Sequence, residues 1–295
     1  MSTQLAHTTP RSQALTREID QSRRSGPLKT IVVPPCPALL LQLREAMSQE
    51  QPNLTAVSHI AAKDVAMSVT LIRQANGAAH AGKMPVRTVG QAMTRLGLNA
   101  TAATMLRFLA SSAIHADSRH LARFWEQSAQ RATAMSALAG QLPGLAPDLA
   151  HTCGLFMHVG LPVMLQSVKG YASTMVEGQA RRDRSYVQTE NANHRTDHAV
   201  VGALVARVWQ LAPEVMIAVR LHHDLEVLRD EQVEPEVRTL IALNLVSDLL
   251  LRRRESLPPD SEWERHGATA LEWLQIGADD LDSWHDLVSQ ALDEV

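Results

Sequence analysis

The sequence predicts an all-α protein, a multi-helix bundle. Three observations carry this expectation. Apolar residues recur at three- and four-residue intervals along most of the chain, and few stretches alternate apolar with polar residues as a half-buried strand does. Pro, Gly and Asn recur between the periodic segments, at positions that start or stop helices. The composition, 45% apolar and 20% charged over 295 residues, supplies enough apolar side chains for a sizeable core.

Taken in order, residues 1–27 are rich in Ser, Thr, Gln and Arg, and they read as a flexible tail. Arg11, Arg17, Arg23 and Arg24 lie there without an apolar run, so no signal peptide is expected. Pro34-Pro35-Cys36-Pro37 fixes an extended entry into a first helix with Leu39, Leu40, Leu43 and Met47 on one face. Leu54, Val57, Ile60 and Ala61 mark a second helix, starting near Pro52-Asn53. Val65 to Ile72 mark a third, ending near Asn76-Gly77, and Val89, Ala92, Met93 and Leu96 a fourth, stopped by Gly97. Further helices are expected over about 99–115, 119–141, 147–157, 161–182, 188–209 and 213–226. Three more follow over about 233–254, 261–275 and 279–294, with Leu257-Pro258-Pro259-Asp260 as a hinge.

Residues 149–168 contain no Asp, Glu, Lys or Arg, a length that would span a bilayer. His151, Gly154, His158, Gly160, Pro162 and Gln166 interrupt them, so two short buried helices meeting at a turn are expected instead. A formal charge of -3 excludes a global basic field, and 3% aromatic residues leave little for stacking on nucleic-acid bases. Nucleic acid is therefore not an expected partner. Only Arg181-Arg182 with Arg184, and Arg252 to Arg254, speak for it, and helix-end cations facing solvent explain the latter as well. The two cysteines, Cys36 and Cys153, read as thiols of a reducing, cytoplasmic protein. No P-loop, dinucleotide fingerprint, nucleophile elbow or Cys-x-x-Cys pair occurs.

The thirteen histidines carry the chemistry. His194 and His198 are four residues apart and could share a metal on one helical face, unless Thr196 or Asp197 caps a new helix between them. His222-His223-Asp224 forms a second group, in which a helix would turn only one imidazole toward any one site. His158 lies at the turn in the uncharged segment. Asp248 lies inside the apolar run Ile241 to Leu251, where a carboxylate needs a partner or a cation. Each group has an ordinary account as a hydrogen-bonded core residue. Together they fit a metal or phosphate pocket inside a helical bundle.

These residues sit among motifs that resemble the HDOD domain, the HD-related output domain of bacterial signalling proteins. The resemblance covers about Leu28 to Leu228. It rests on Val33 to Ala38, Ile72-Arg73-Gln74-Ala75-Asn76-Gly77, Val89 to Ala92 with Arg95 to Leu98, Phe124-Trp125, Cys153 to Phe156, Thr196-Asp197-His198 with Val201-Gly202-Ala203, and Ala218 to Asp224. It implies an N-terminal helical lobe, 28–120, packed on an HD-like lobe, 121–228, which helices in 229–295 complete. Members often follow receiver or sensor domains. None is recognised in this chain, so a stand-alone regulatory module is expected.

Catalytic HD phosphohydrolases hold metal with His, a His-Asp pair, further His and Asp, and the metal activates water. Matched to that pattern, the His-Asp pair falls on Met157 and His158, and the first ligand position on Gln127. A thioether and a neutral amide are poor ligands for a hard cation. The resemblance therefore implies a degenerate site built from Gln127, Met157, His158, His198, His222, His223 and Asp248, with no hydrolysis. No cofactor is expected. The exception considered is a single divalent metal at His198, His223 and Asp248. The expected partner is a signalling protein, with a nucleotide or phosphate as a second ligand class and no membrane. The alternative is a metal-dependent phosphohydrolase or cyclic-nucleotide phosphodiesterase with an altered site.

Overall fold

The computed structural model describes residues 9–49, 51–77, 84–116, 118–181, 183–277 and 279–293. Among them the architecture is all-α, with no strand. The helices run α1 (Pro10–Ser25), α2 (Ala38–Met47), α3 (Leu54–Ala61), α4 (Val65–Ala75), α5 (Val89–Ala113), α6 (Phe124–Ala139), α7 (Pro147–Phe156) and α8 (Gly160–Ser167). They continue with α9 (Tyr171–Ala180), α10 (Tyr186–His194), α11 (His198–Val208), α12 (Pro213–Leu221), α13 (Pro235–Arg254), α14 (Ser261–Leu274) and α15 (Asp280–Asp293).

Local chemistry sets most boundaries. Asn53, Asp64, Asp197 and Asp260 cap the first turns of α3, α4, α11 and α14 with side-chain oxygens. Thr88 with Gln91, and Ser185 with Gln188, close capping boxes on α5 and α10. Gly97, at φ 79°, kinks α5 where the sequence places a stop. The uncharged stretch is α7, a turn and α8. No described helix is long and apolar enough to cross a membrane.

Three expectations need correction. Residues 10–25 of the expected flexible tail form α1, whereas residues 1–8 lie outside the described residues. Leu15 and Ile19 anchor α1 in the core and ion pairs hold the rest, so its apolar stripe is too thin to read from sequence. The expected helix 161–182 is two helices, because Gly170 takes φ 81° between α8 and α9. The expected helix 188–209 also divides. Arg195 turns left-handed and the Asp197 cap starts α11 afresh.

The N-terminal helices pack on the C-terminal ones through polar and aromatic ties. The Trp209 indole N–H donates to the Pro34 carbonyl at 2.9 Å, and Arg44 donates to the Trp209 carbonyl at 2.8 Å. Phe156 meets Trp209 edge to face, with centroids 5.7 Å apart. Beneath them, α13 is buried along most of its length by Val237, Leu240, Ile241, Leu243, Val246 and Leu250.

A close seam joins α8, α11 and α12. A methyl group placed on Gly160 would lie 1.9 Å from the His198 carbonyl oxygen and 2.8 Å from the Gly202 nitrogen. At the same seam, a methyl on Gly202 would meet the Val219 side chain at 2.9 Å and the Gly160 nitrogen at 3.4 Å. Only glycine at 160 lets these two backbones touch, because any Cβ would overlap main-chain atoms that cannot rotate away. Gly160→Ala should destabilise the fold by about 3 kcal/mol through overpacking, and lower Tm by roughly 5 °C for a chain of this size. Thermal unfolding followed by circular dichroism checks this, and an unchanged Tm would contradict the seam.

Candidate metal centre

Four histidines from three stretches of chain converge. His158 lies in the α7–α8 turn, two residues before Gly160. His198 is the first residue of α11, and His222 and His223 follow the last residue of α12. One ligand nitrogen of each lies within 4.8 Å of the other three. His158 Nδ1 is 3.3 Å from His198 Nε2 and 3.2 Å from His222 Nε2, and His223 Nε2 is 3.1 Å from His198 Nε2. The glycine seam delivers this arrangement, since it clamps the start of α8 onto the first turn of α11.

Both adjacent histidines enter the site, contrary to the helical expectation of one. The helix has ended at Leu221, and in the turn that follows the two rings lie with centroids 4.0 Å apart. His194 takes no part. It ends α10 and pairs with Thr174 at 2.8 Å, so the cap at Asp197 separates it from His198.

Three of the four rings are fixed by their second nitrogen. His198 Nδ1 donates to Glu190 at 2.8 Å, His223 Nδ1 donates to Glu262 at 2.6 Å, and His222 Nδ1 donates to the Val219 carbonyl at 2.7 Å. Each bond holds a tautomer whose Nε2 lone pair faces the cluster. Glu190 is fully buried and also accepts from Tyr171 Oη and the His198 backbone N–H. Burial, reinforced by that carboxylate, pushes the Tyr171 phenol upward, which keeps it a donor.

Electrostatics favour the neutral, ligating form at two of the four rings. Burial holds His158 and His222 well below the usual imidazole range, helped by the Arg131 guanidinium and the neighbouring rings. Burial lowers His223 too, but its bond to Glu262 outweighs this and leaves it raised. Burial raises Glu262, and His223 more than reverses that.

The remaining residues of the expected site lie elsewhere. Gln127 is exposed on α6. One turn further on, Arg131 is the α6 residue that reaches inward. Its Nε donates to Asp248 at 2.9 Å, and Asn244 donates to the other carboxylate oxygen at 3.3 Å. Asp248 thus answers a guanidinium and is not among the clustered ligand groups. Burial raises its pKa and Arg131 opposes the rise. Met157 is fully buried in the core. Cys153 is buried as well, and that burial raises its thiol far from reactivity.

Glu190, Glu262 and Arg131 escape the sequence reading. Glu190 sits in a polar stretch that resembles a surface helix, and Glu262 in a first turn where an acidic residue is ordinary.

The donor set fits a borderline transition-metal ion. Nitrogens about 2.0–2.1 Å from a tetrahedral ion stand about 3.3 Å apart, and three of the separations here are 3.1–3.3 Å. Imidazole suits zinc, copper or nickel better than magnesium or calcium. Among the described residues, no carboxylate or thiolate joins the group.

Comparison with known proteins places this geometry. The family model of the HDOD domain matches residues 33–225. An uncharacterized protein of Treponema pallidum (strain Nichols) is 22% identical over 216 residues. That alignment covers 72% of this chain, and the chain spans 42% of that relative. A provisionally named signal transduction protein of Marinobacter aquaeolei VT8 superposes with a TM-score of 0.75 at 14% identity, over 99% of this chain and 66% of that one. A provisionally named phosphohydrolase of Shewanella amazonensis SB2B superposes with a TM-score of 0.68 at 19% identity, over 95% of both chains. At these identities the structural likeness speaks for the fold alone.

The Arg131–Asp248 pair generates a stability prediction, since only 14% and 22% of their side-chain surfaces are exposed. Asp248→Ala should lose about 3 kcal/mol by stranding a buried guanidinium, whereas Arg131→Met with Asp248→Leu should recover most of it. Urea unfolding separates the cases. A double variant no more stable than the single one would count against this account of the pair.

Proposed function

The chain belongs to the HDOD domain family, and on that premise we propose that it is a regulatory signal-transduction module that works by binding, with a single divalent transition-metal ion held by its four-histidine centre. One observation carries the metal reading. Four imidazole nitrogens converge while the second nitrogens of His198, His222 and His223 are engaged by Glu190, the Val219 carbonyl and Glu262. Outer partners of this kind orient metal-ligating histidines, and buried rings without such a purpose have little reason to face one another.

The same donor set argues against hydrolysis. Catalytic zinc keeps an open position for water, and binuclear hydrolysis needs a second metal in reach of the first. Here four protein nitrogens would fill a tetrahedral shell, and among the described residues no acidic side chain joins them to bridge a second ion. When bound, the metal supplies cohesion between α8, α11 and the turn after α12. His158, His198, His222 and His223 hold it, while Glu190 and Glu262 hold the rings. A phosphate or nucleotide lacks its natural clamp, because Arg131 is already engaged by Asp248. The output is accordingly a contact with a signalling protein, and its affinity follows the state of the centre.

Elemental mass spectrometry on protein purified without a His tag or chelator tests this. About one zinc-class ion per chain is expected, and His198→Ala should lose at least about nine tenths of it. Neither protein should hydrolyse bis(p-nitrophenyl) phosphate with added zinc or manganese. A metal-free parent would overturn the reading, as would hydrolysis abolished by His198→Ala.

A further inference from the structure

α1 lies across the elements that carry three of the four histidines. At its start, the Thr9 backbone N–H and the Ser12 hydroxyl both donate to Glu234, which precedes α13. Arg11 forks between Asp224 and Asp230, the two ends of the short 3-10 segment that follows the metal-ligand turn. Asp224 adjoins His223 directly. Further along, Glu18 pairs with Arg220 at 3.5 Å, two residues before His222, and Asp20 pairs with Arg207 on α11 at 3.2 Å.

The hold is ionic more than apolar. Among the described residues, Ile19 is the one α1 side chain in the buried apolar core, and Leu15 is partly buried against it. The ion pairs reach solvent to different degrees: Arg207 and Asp20 are 48% and 40% exposed, whereas Arg11 and Asp230 are 35% and 23% exposed and Arg220 is 23% exposed. Such pairs are weak singly and screened by salt. A helix attached this way detaches at far lower cost than one seated by a full apolar stripe. Its anchors nonetheless fall where the ligand rings are set, because Arg11 fixes the exit of the His222-His223-Asp224 turn and Glu18 fixes the helix leading into it.

We propose that α1 is a releasable strap that regulates the four-histidine centre: docked, it holds the His222–His223 turn in its ligating shape, and metal binding in turn holds the strap down. This rests on the metal reading above. Reciprocity follows from linkage, since whatever raises metal affinity when α1 is docked makes the metal favour the docked state by the same factor. A partner that pulls α1 away therefore loosens the metal, and metal loss frees α1 and uncovers the face of α11 and α12 beneath it.

Limited trypsinolysis of the full chain, read by mass spectrometry at the exposed Arg17 and Arg23, follows the strap directly. Saturating zinc chloride should slow cleavage there by about fivefold, a usual size for such coupling. His198→Ala in the same zinc should show no slowing, which controls for effects on the protease. Arg11→Ala, with an unchanged circular dichroism spectrum, should cleave faster and bind zinc about fivefold more weakly by chelator competition. If zinc binds the parent and cleavage is unchanged, the strap falls while the metal centre stands. Unaltered zinc affinity in Arg11→Ala would likewise overturn it. A parent that binds no zinc removes the metal reading and this inference with it.

Discussion

The main-chain contact at Gly160 is the constraint on which the rest of the centre depends. A helix start laid directly on the His198 carbonyl leaves no room for a side chain. In return it fixes the α7–α8 turn, and with it His158, against the first turn of α11. Helix α12 meets the same seam at Gly202, through Val219. Three stretches remote in sequence are thereby brought within the reach of one ion. The site is a consequence of how closely helices can approach, and its ligands sit at helix ends where the backbone changes direction.

Those helix ends also settle the chemistry. A ring in the middle of a helix shares its face with neighbours one turn away. Rings at a helix start, in a turn and just past a helix end can converge from different directions. Each then needs a second partner to stop it rotating, and the fold supplies two carboxylates and a carbonyl. Burying Glu190 completely is costly unless every oxygen is answered. Tyr171 and two groups of His198 answer it. Such an arrangement suits one cation held by imidazole nitrogens.

Much of the fold was legible in the sequence. The helical period, the caps at Asn53 and Asp197 and the stop at Gly97 gave the order and ends of most helices, because these signals are local. The breaks at Gly170 and Arg195 were harder. Apolar residues flank Gly170 on both sides, and near Arg195 the Thr196-Asp197 pair offered a cap but the left-handed residue itself carries no local signal. α1 was missed because ion pairs with distant acids and arginines hold it, and sequence periodicity does not register those.

The site was legible in half. Histidine count and spacing pointed to His158, His198, His222 and His223, but the helical rule wrongly kept one of the adjacent pair out. Gln127 followed from matching a family pattern, whereas Asp248 stood out as a carboxylate inside an apolar run that needs a partner or a cation. Here α6 presents Arg131 in place of Gln127, and that guanidinium draws Asp248 to itself. Glu190 and Glu262 matter only through a tertiary contact, and no local pattern announces such a contact.

X-ray absorption at the zinc edge of the metal-loaded protein tests the central claim most directly. The account predicts one shell of about four nitrogens at about 2.0–2.1 Å, with imidazole outer scattering and no metal–metal vector. A second metal at about 3.5–4 Å, or an oxygen-rich shell of higher coordination number, would contradict it.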